Sequence, residues 1–498
     1  MTAVAGRALV DTPLNSSPAE SLRNVDECPE RLLDAGNVEC RKAVAVGRAG
    51  LDRVDRVRRT PRPDRAPPSG LRVTAGSAPR RLAADPGPWT IAIAAAVLLA
   101  VAMGIGRFAF TPLLPLMLSE GAIDLDQASW LASANYLGYL AGALLCTVAP
   151  WIASRVPGWP HADGPRVARG GLWATAALTL AMALPWPAAW PALRFAAGVA
   201  SAYVLVYGSS WCLGELAARN AAPLGGVMFT GPGVGIVLSG LLVSALVEWH
   251  GRAATGWLLF GALAFALTAV IRPIVRGRQR TASAGRAAAR AVPDPDAVRV
   301  EARHGAVEIG WLALAYGLAG FGYIITATFL PVIARAALPG SPWLDLFWPI
   351  LGIGVIVGAL LSTRLRLDGD LRLLLAGAYL LQAIAIGLPV WLPTLGGFVA
   401  GSVILGLPFT AITFFAMQEV RRVRPVRAAS TIGLVTAMYG IGQIIGPPLA
   451  ARLVGSSPSA GAGFALALEI AAAALVVGAL VFAAMSRAYP QLERGTGV

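Results

Sequence analysis

From Trp89 to Leu118 the chain runs through apolar residues with a single charge, Arg107, near the middle. A run of that length crosses the hydrocarbon of a bilayer, where a segment must satisfy its own backbone groups and therefore coils into a helix. Comparable runs recur along the chain, roughly at 128–150, 170–187, 191–214, 224–247, 255–275, 309–334, 343–363, 372–392, 395–418, 430–453 and 461–485. The pattern predicts an all-α membrane protein with twelve transmembrane helices. Composition agrees, at 56% hydrophobic and 14% charged residues. A formal charge of +14 would suggest a nucleic-acid partner in a soluble protein. Here the arginines lie between apolar runs, so membrane orientation accounts for them and no nucleic acid is expected.

The remaining segments divide the chain. Residues 1–87 mix 15 Lys/Arg with 11 Asp/Glu, carry a Pro/Arg-rich patch, and contain neither a membrane-length run nor a signal-peptide core. They read as a disordered cytoplasmic extension. A polar Arg/Ala-rich linker, 276–308, separates six spans (88–275) from six more (309–486), and a short tail, 487–498, follows. With the N-terminus inside, and leaving out the extension, the inside loops and tail carry 21 Lys/Arg, the outside loops only Arg252, Arg335 and Arg452, and Arg107 and Arg194 alone lie within spans. That asymmetry places both termini in the cytoplasm.

The two sets of spans repeat. A shift of 216 residues carries Gly104, Gly106, Pro115, Gly138 and Gly142 onto Gly320, Gly322, Pro331, Gly354 and Gly358, and Arg107 onto Tyr323. A shift of 207 carries Gly226, Gly233 and Gly235 onto Gly433, Gly440 and Gly442. Parallel six-helix repeats of this kind build transporters whose site lies between the halves near the midplane.

An arginine at membrane depth is costly and points to function, so Arg107 heads the candidates. Flanked by Gly104, Gly106, Pro112 and Pro115, it either pairs with a carbonyl or distant acid and orients helices, or faces a water-filled cavity. Its fork favours a carboxylate or phosphate. Glu469 is the one acid well inside an apolar run. It either carries a coupling proton or snorkels. Glu215 and Glu419 close spans 4 and 10 at matching ends, each followed by arginine. They are either solvated end charges or ion pairs across the halves. The three histidines fall in loops without metal-ligand spacing, the four cysteines form no framework, and the sequence carries no P-loop, H-E-x-x-H or nucleophile elbow. No metal, cofactor or enzymatic activity is expected.

The motifs GIGRFAFTPLLPLM in span 1 and GFGYIITATFLP in span 7 resemble the YbfB/YjiJ-type subgroup of the major facilitator superfamily, and the resemblance covers about Trp89 to the C-terminus. Arg194 and Gly198 resemble the R-x-x-x-G pattern of span 4. Gly231, Pro232 and Gly235 resemble part of the GP-containing motif of many exporters. The loop between spans 2 and 3 departs from the superfamily pattern, keeping basic residues and Asp163 only. The resemblance implies a plasma-membrane (inner-membrane) permease that works by alternating access and is often proton-coupled. The reading adopted is a monomeric transporter of a small organic solute with the proton as coupling ion, export being favoured over uptake. Uptake of a small organic anion, or a non-transporting sensor or scaffold, are the alternatives. In that fold spans 1, 4, 7 and 10 line the cavity. The resemblance thus assigns substrate contact to Arg107, Tyr323, Arg194, Asn135, Tyr203, Thr326 and Gln443. The candidates for gating or coupling are the acids Glu215, Glu419 and Glu469, from their placement, together with Gly231 and Pro232 of the GP-containing motif.

Overall fold

The computed structural model describes residues 86–155, 163–275, 298–299, 301, 304–341, 343–362, 364 and 369–490. Almost all of the N-terminal extension, most of the linker, His161 and the end of the tail lie outside the described residues. What is described is helical: α1 (Pro88–Ser119), α2 (Leu125–Arg155), α3 (Gly164–Ala181), α4 (Pro187–Ala217), α5 (Pro223–Glu248), α6 (Ala253–Ile271), α7 (Ala306–Ala337), α8 (Leu344–Ser362), α9 (Leu371–Trp391), α10 (Leu395–Val423), α11 (Ala428–Ser456) and α12 (Ala460–Ala488). Among the described residues, eleven of these are long and apolar enough to cross a membrane. The exception is α3. It starts earlier than the apolar run predicts, at Gly164, and its first turns carry Arg166 and Arg169.

Two sets of helices pack mostly within themselves. In the first, α4 lies against α2 and α3, α6 against α3, and α5 against α1; in the second, α7 lies against α11 and α12, α9 against α12, and α8 against α10. The sets meet where α2 packs on α11, α5 on α8, and the second part of α1 on α7. Small residues let backbones touch, because in lipid close packing replaces the hydrophobic drive between helices. A Cβ on Gly104 would stand 2.4 Å from the Gly235 Cα, and one on Gly442 would stand 2.3 Å from the Gly317 carbonyl. The α1–α5 crossing of the first set is thus matched by the α7–α11 crossing of the second, as the two repeat shifts require. The buried residue Gly231 belongs to the first crossing, since a Cβ there would meet the Ala96 carbonyl at 2.1 Å, and the buried Pro232 lies beside it.

Helix α1 is not a regular rod. It runs as α-helix to Leu99, widens into a π-turn over Ala100–Ile105, and restarts at Phe110. In the wide turn the Gly106 and Phe108 N–H groups reach back five residues, to the Val101 and Met103 carbonyls. Pro112 then brings no N–H to the ladder. Loosened turns of this sort occur often at functional sites. This one carries Arg107.

Candidate functional site

Arg107 leaves the irregular turn of α1 and is 3% exposed. Its Nη2 donates to Gln443 Oε1 on α11 at 2.5 Å. Gln443, fully buried, donates from Nε2 to the Tyr323 hydroxyl on α7. One amide therefore joins the two positions that the 216-residue repeat equates. Around the guanidinium carbon stand three rings: Tyr139 at 4.4 Å and Tyr136 at 4.9 Å from α2, and Phe108 at 5.6 Å from its own turn. Cation–π attraction offsets part of the desolvation of a buried guanidinium. Among the described residues no carboxylate lies within ion-pair distance of Arg107, and its Nε has no hydrogen-bond partner.

Aromatic side chains extend the site. The Tyr323 ring stacks 5.8 Å from Tyr439, which stacks 4.6 Å from Tyr316, whose hydroxyl donates to Thr413 on α10. On the other flank Tyr323 meets Phe409 edge-on at 5.0 Å, and Phe108 contacts both Phe409 and Trp348. Beyond Phe108 the sets are bonded together: Thr111 Oγ1 donates to the Ala327 carbonyl at 2.7 Å, and the Tyr136 and Thr328 hydroxyls share a bond of 3.0 Å. Thr111 and Ala327 are again 216 residues apart. This closes the site on the side away from the start of α1. On the opposite side Tyr203 and Tyr207 of α4, and Phe414 and Met417 of α10, are only half-buried.

The other candidates divide between the site and its frame. Arg194 is 2% exposed, and it donates to the Gly106 carbonyl at 3.3 Å and the Arg107 carbonyl at 3.2 Å, with Phe110 under its guanidinium. It thus supplies donors to the turn at which Pro112 supplies none, and holds Arg107 in place from below. Asn135 in turn donates to the Arg194 carbonyl at 2.9 Å. Thr326, on the same helix as Tyr323, is buried with an unpartnered hydroxyl. Tyr203 packs edge-on against Tyr207.

The acids lie away from Arg107. Glu215 pairs with Arg219 one turn on. Glu419 pairs with Arg422 at 2.5 Å and lies 3.7 Å from the fully buried Arg372, so in this conformation both acids bind residues of their own helix set. Arg372 is the hub of a cluster that pattern reading missed. It meets Asp370 at 2.9 Å and Glu308 at 3.6 Å, and it donates to the Met485 and Tyr489 carbonyls at the end of α12. Asp370 caps α9; burial would raise its pKa, but the bonds from Arg372 outweigh burial and hold it below the ordinary carboxylate value. Glu301 is likewise held low, by Arg427 and the backbone N–H groups of Val426 and Arg427, against the opposing effect of burial. Glu469 is exposed on the flank of α12.

Residues 99–483 match the family model described as "Uncharacterised MFS-type transporter YbfB". The chain belongs to this family. It is similar to a chloramphenicol resistance protein of Streptomyces lividans, 28% identical over 388 residues that cover 75% of this chain and 92% of that one. In fold it resembles the nucleoside transporter NupG (TM-score 0.57, 17% identity, 79% of this chain and 98% of that one). It also resembles a D-xylose-proton symporter (TM-score 0.58, 11% identity, 78% and 96%). The major facilitator protein described here is therefore a multi-pass membrane transporter and not an enzyme, and the cluster around Arg107 lies between its two helix sets.

Proposed function

We propose that this transporter carries a small organic solute bearing an anionic group, and that Arg107 receives that group. The observation that carries the proposal is a buried guanidinium with a neutral amide as its hydrogen-bond partner, an unpartnered Nε, and no acid beside it among the described residues. An uncompensated buried cation is unfavourable, and an arriving carboxylate or phosphate relieves it with charge-assisted bonds. The aromatic residues Tyr136, Tyr139, Tyr323 and Phe409 favour an apolar or aromatic body attached to that group. Arg194 and Asn135 act as positioning residues that fix the turn bearing Arg107.

In the same proposal α3 is a twelfth span and both termini are cytoplasmic, in the plasma (inner) membrane. The six-helix halves 88–275 and 309–486 rock about the site, Gly231 and Pro232 permit that motion at the α1–α5 contact, and a monomer suffices. The arginine asymmetry of the loops supports this orientation, and then the half-buried Tyr203 and Tyr207 open toward the cytoplasm. Export is favoured over uptake, supported by the name of the Streptomyces lividans relative. A proton is the coupling ion.

Flux through proteoliposomes tests the proposal. Vesicles loaded with an aromatic carboxylate and given a pH gradient should transport it with wild type and not with Arg107→Gln. Equal flux by both proteins would refute the assignment of Arg107. Flux that ignores collapse of the pH gradient would remove the proton alone.

A further inference from the structure

Gln443 holds the Arg107 donor that, in the proposed function, a solute's acceptor would take. It is fully buried, takes the Arg107 bond through Oε1, and anchors its other end on Tyr323. A carboxamide has the planar shape of a carboxylate but offers one acceptor oxygen in place of two, and no charge. A guanidinium presents its donors as a fork suited to two oxygens. Gln443 satisfies one arm, and Arg107 Nε is left without a partner although it is buried. The fit is that of a neutral substitute.

We infer that Gln443 is an internal stand-in for the acid group of the solute, occupying Arg107 while no solute is bound and yielding it when the solute arrives. The inference rests on the proposed function, in which Arg107 receives an anion. A charged acceptor displaces a neutral one because its bonds to a guanidinium are stronger. When the solute leaves, the amide returns, so the buried cation keeps an acceptor throughout. Location adds a second consequence. Arg107 belongs to α1 and Gln443 to α11, so the stand-in bond also ties the two helix sets together. A solute that takes Arg107 releases that tie, while the bond between Gln443 and Tyr323, both of the second set, remains available to hold the freed amide.

The test uses the full-length protein in detergent as wild type, Gln443→Met and Gln443→Glu. Affinities are read from melting temperature against concentration for acetate, benzoate and 3-phenylpropionate, each beside its carboxamide. Methionine keeps the volume of glutamine and removes the competitor, so carboxylates should bind more tightly. If the amide holds the fork nine-tenths of the time, the gain is about tenfold. Glutamate places a permanent acid on Arg107, so carboxylate binding should be lost while the ligand-free protein melts no lower than wild type. Unchanged or weaker binding by Gln443→Met, with wild type binding normally, would overturn the inference and leave the assignment of Arg107 standing. If Gln443→Met does not fold, Gln443→Glu decides: retained carboxylate binding overturns the inference, and loss with an intact fold supports it. If no carboxylate stabilises any of the three proteins, the anion-binding role of Arg107 is itself wrong, and the role of Gln443 falls with it.

Discussion

Two arginines lie buried in adjacent turns of neighbouring helices, and their partners separate their roles. Arg107 meets an amide and aromatic faces, groups that a solute can displace or join. Arg194 meets two carbonyls of the turn itself, groups that no solute replaces. Arg194→Lys should therefore act on stability: a single ammonium cannot reach both carbonyls, and leaving one unpaired costs about 1–3 kcal/mol. A lowered melting temperature with the order of solute preference unchanged is the expected outcome, and a reordered preference would assign Arg194 to the solute. Arg107 and Tyr323 were legible as candidates because a lone arginine in an apolar run is conspicuous and the repeat pairs the two positions. The role of Arg194 was not legible. Its acceptors exist only because α1 widens before Pro112, and residue type does not reveal which carbonyls a local irregularity frees. Tyr136 and Tyr139 were missed because span 2 gives no sign of which face turns inward.

Among the elements, α1 and α9 show opposite uses of a helix end. The π-turn of α1 opens the ladder at membrane depth within GIGRFAFTPLLP, a stretch whose apolar pattern alone predicts an unbroken helix. The start of α9 is closed firmly: Asp370 accepts from the Arg372 N–H at 2.9 Å and pairs with the Arg372 guanidinium, which also bonds the end of α12. The cluster was not legible, since Asp370 and Arg372 look like ordinary loop charges until Glu308, Glu419 and α12 converge on them. Asp370→Ala should lower stability at neutral pH by about 2 kcal/mol, from the lost cap and the lost charge partner. The folded carboxyl has a lowered pKa, so its stabilisation is present above its ordinary value of 3.8 and disappears as pH falls through the lower folded value. The gap in melting temperature between wild type and Asp370→Ala should be full at neutral pH and close below about pH 4. A gap that persists undiminished in acid would mean that the cap geometry, and not the charge, stabilises the helix start.

For the whole molecule, apolar runs located the helices and the internal repeat marked two similar sets, while the contacts between the sets came only from the structure. Bilayer physics leaves few alternatives for such runs. The count of clear spans fell short at α3, where Arg166 and Arg169 extend a helix beyond its apolar part. The chemistry around Arg107 was only partly legible, because side chains from α1, α2, α7, α10 and α11 converge on it from separate parts of the chain. The central claim is that the transporter recognises an anion through Arg107. Its most direct test is a thermal-shift comparison of wild type and Arg107→Gln against matched pairs of carboxylates and carboxamides. Carboxylates should raise the melting temperature of wild type, their amides should do so less, and the variant should fold yet lose the carboxylate response. Equal responses from the two folded proteins would contradict the claim and leave Arg107 as a group that only joins the helices.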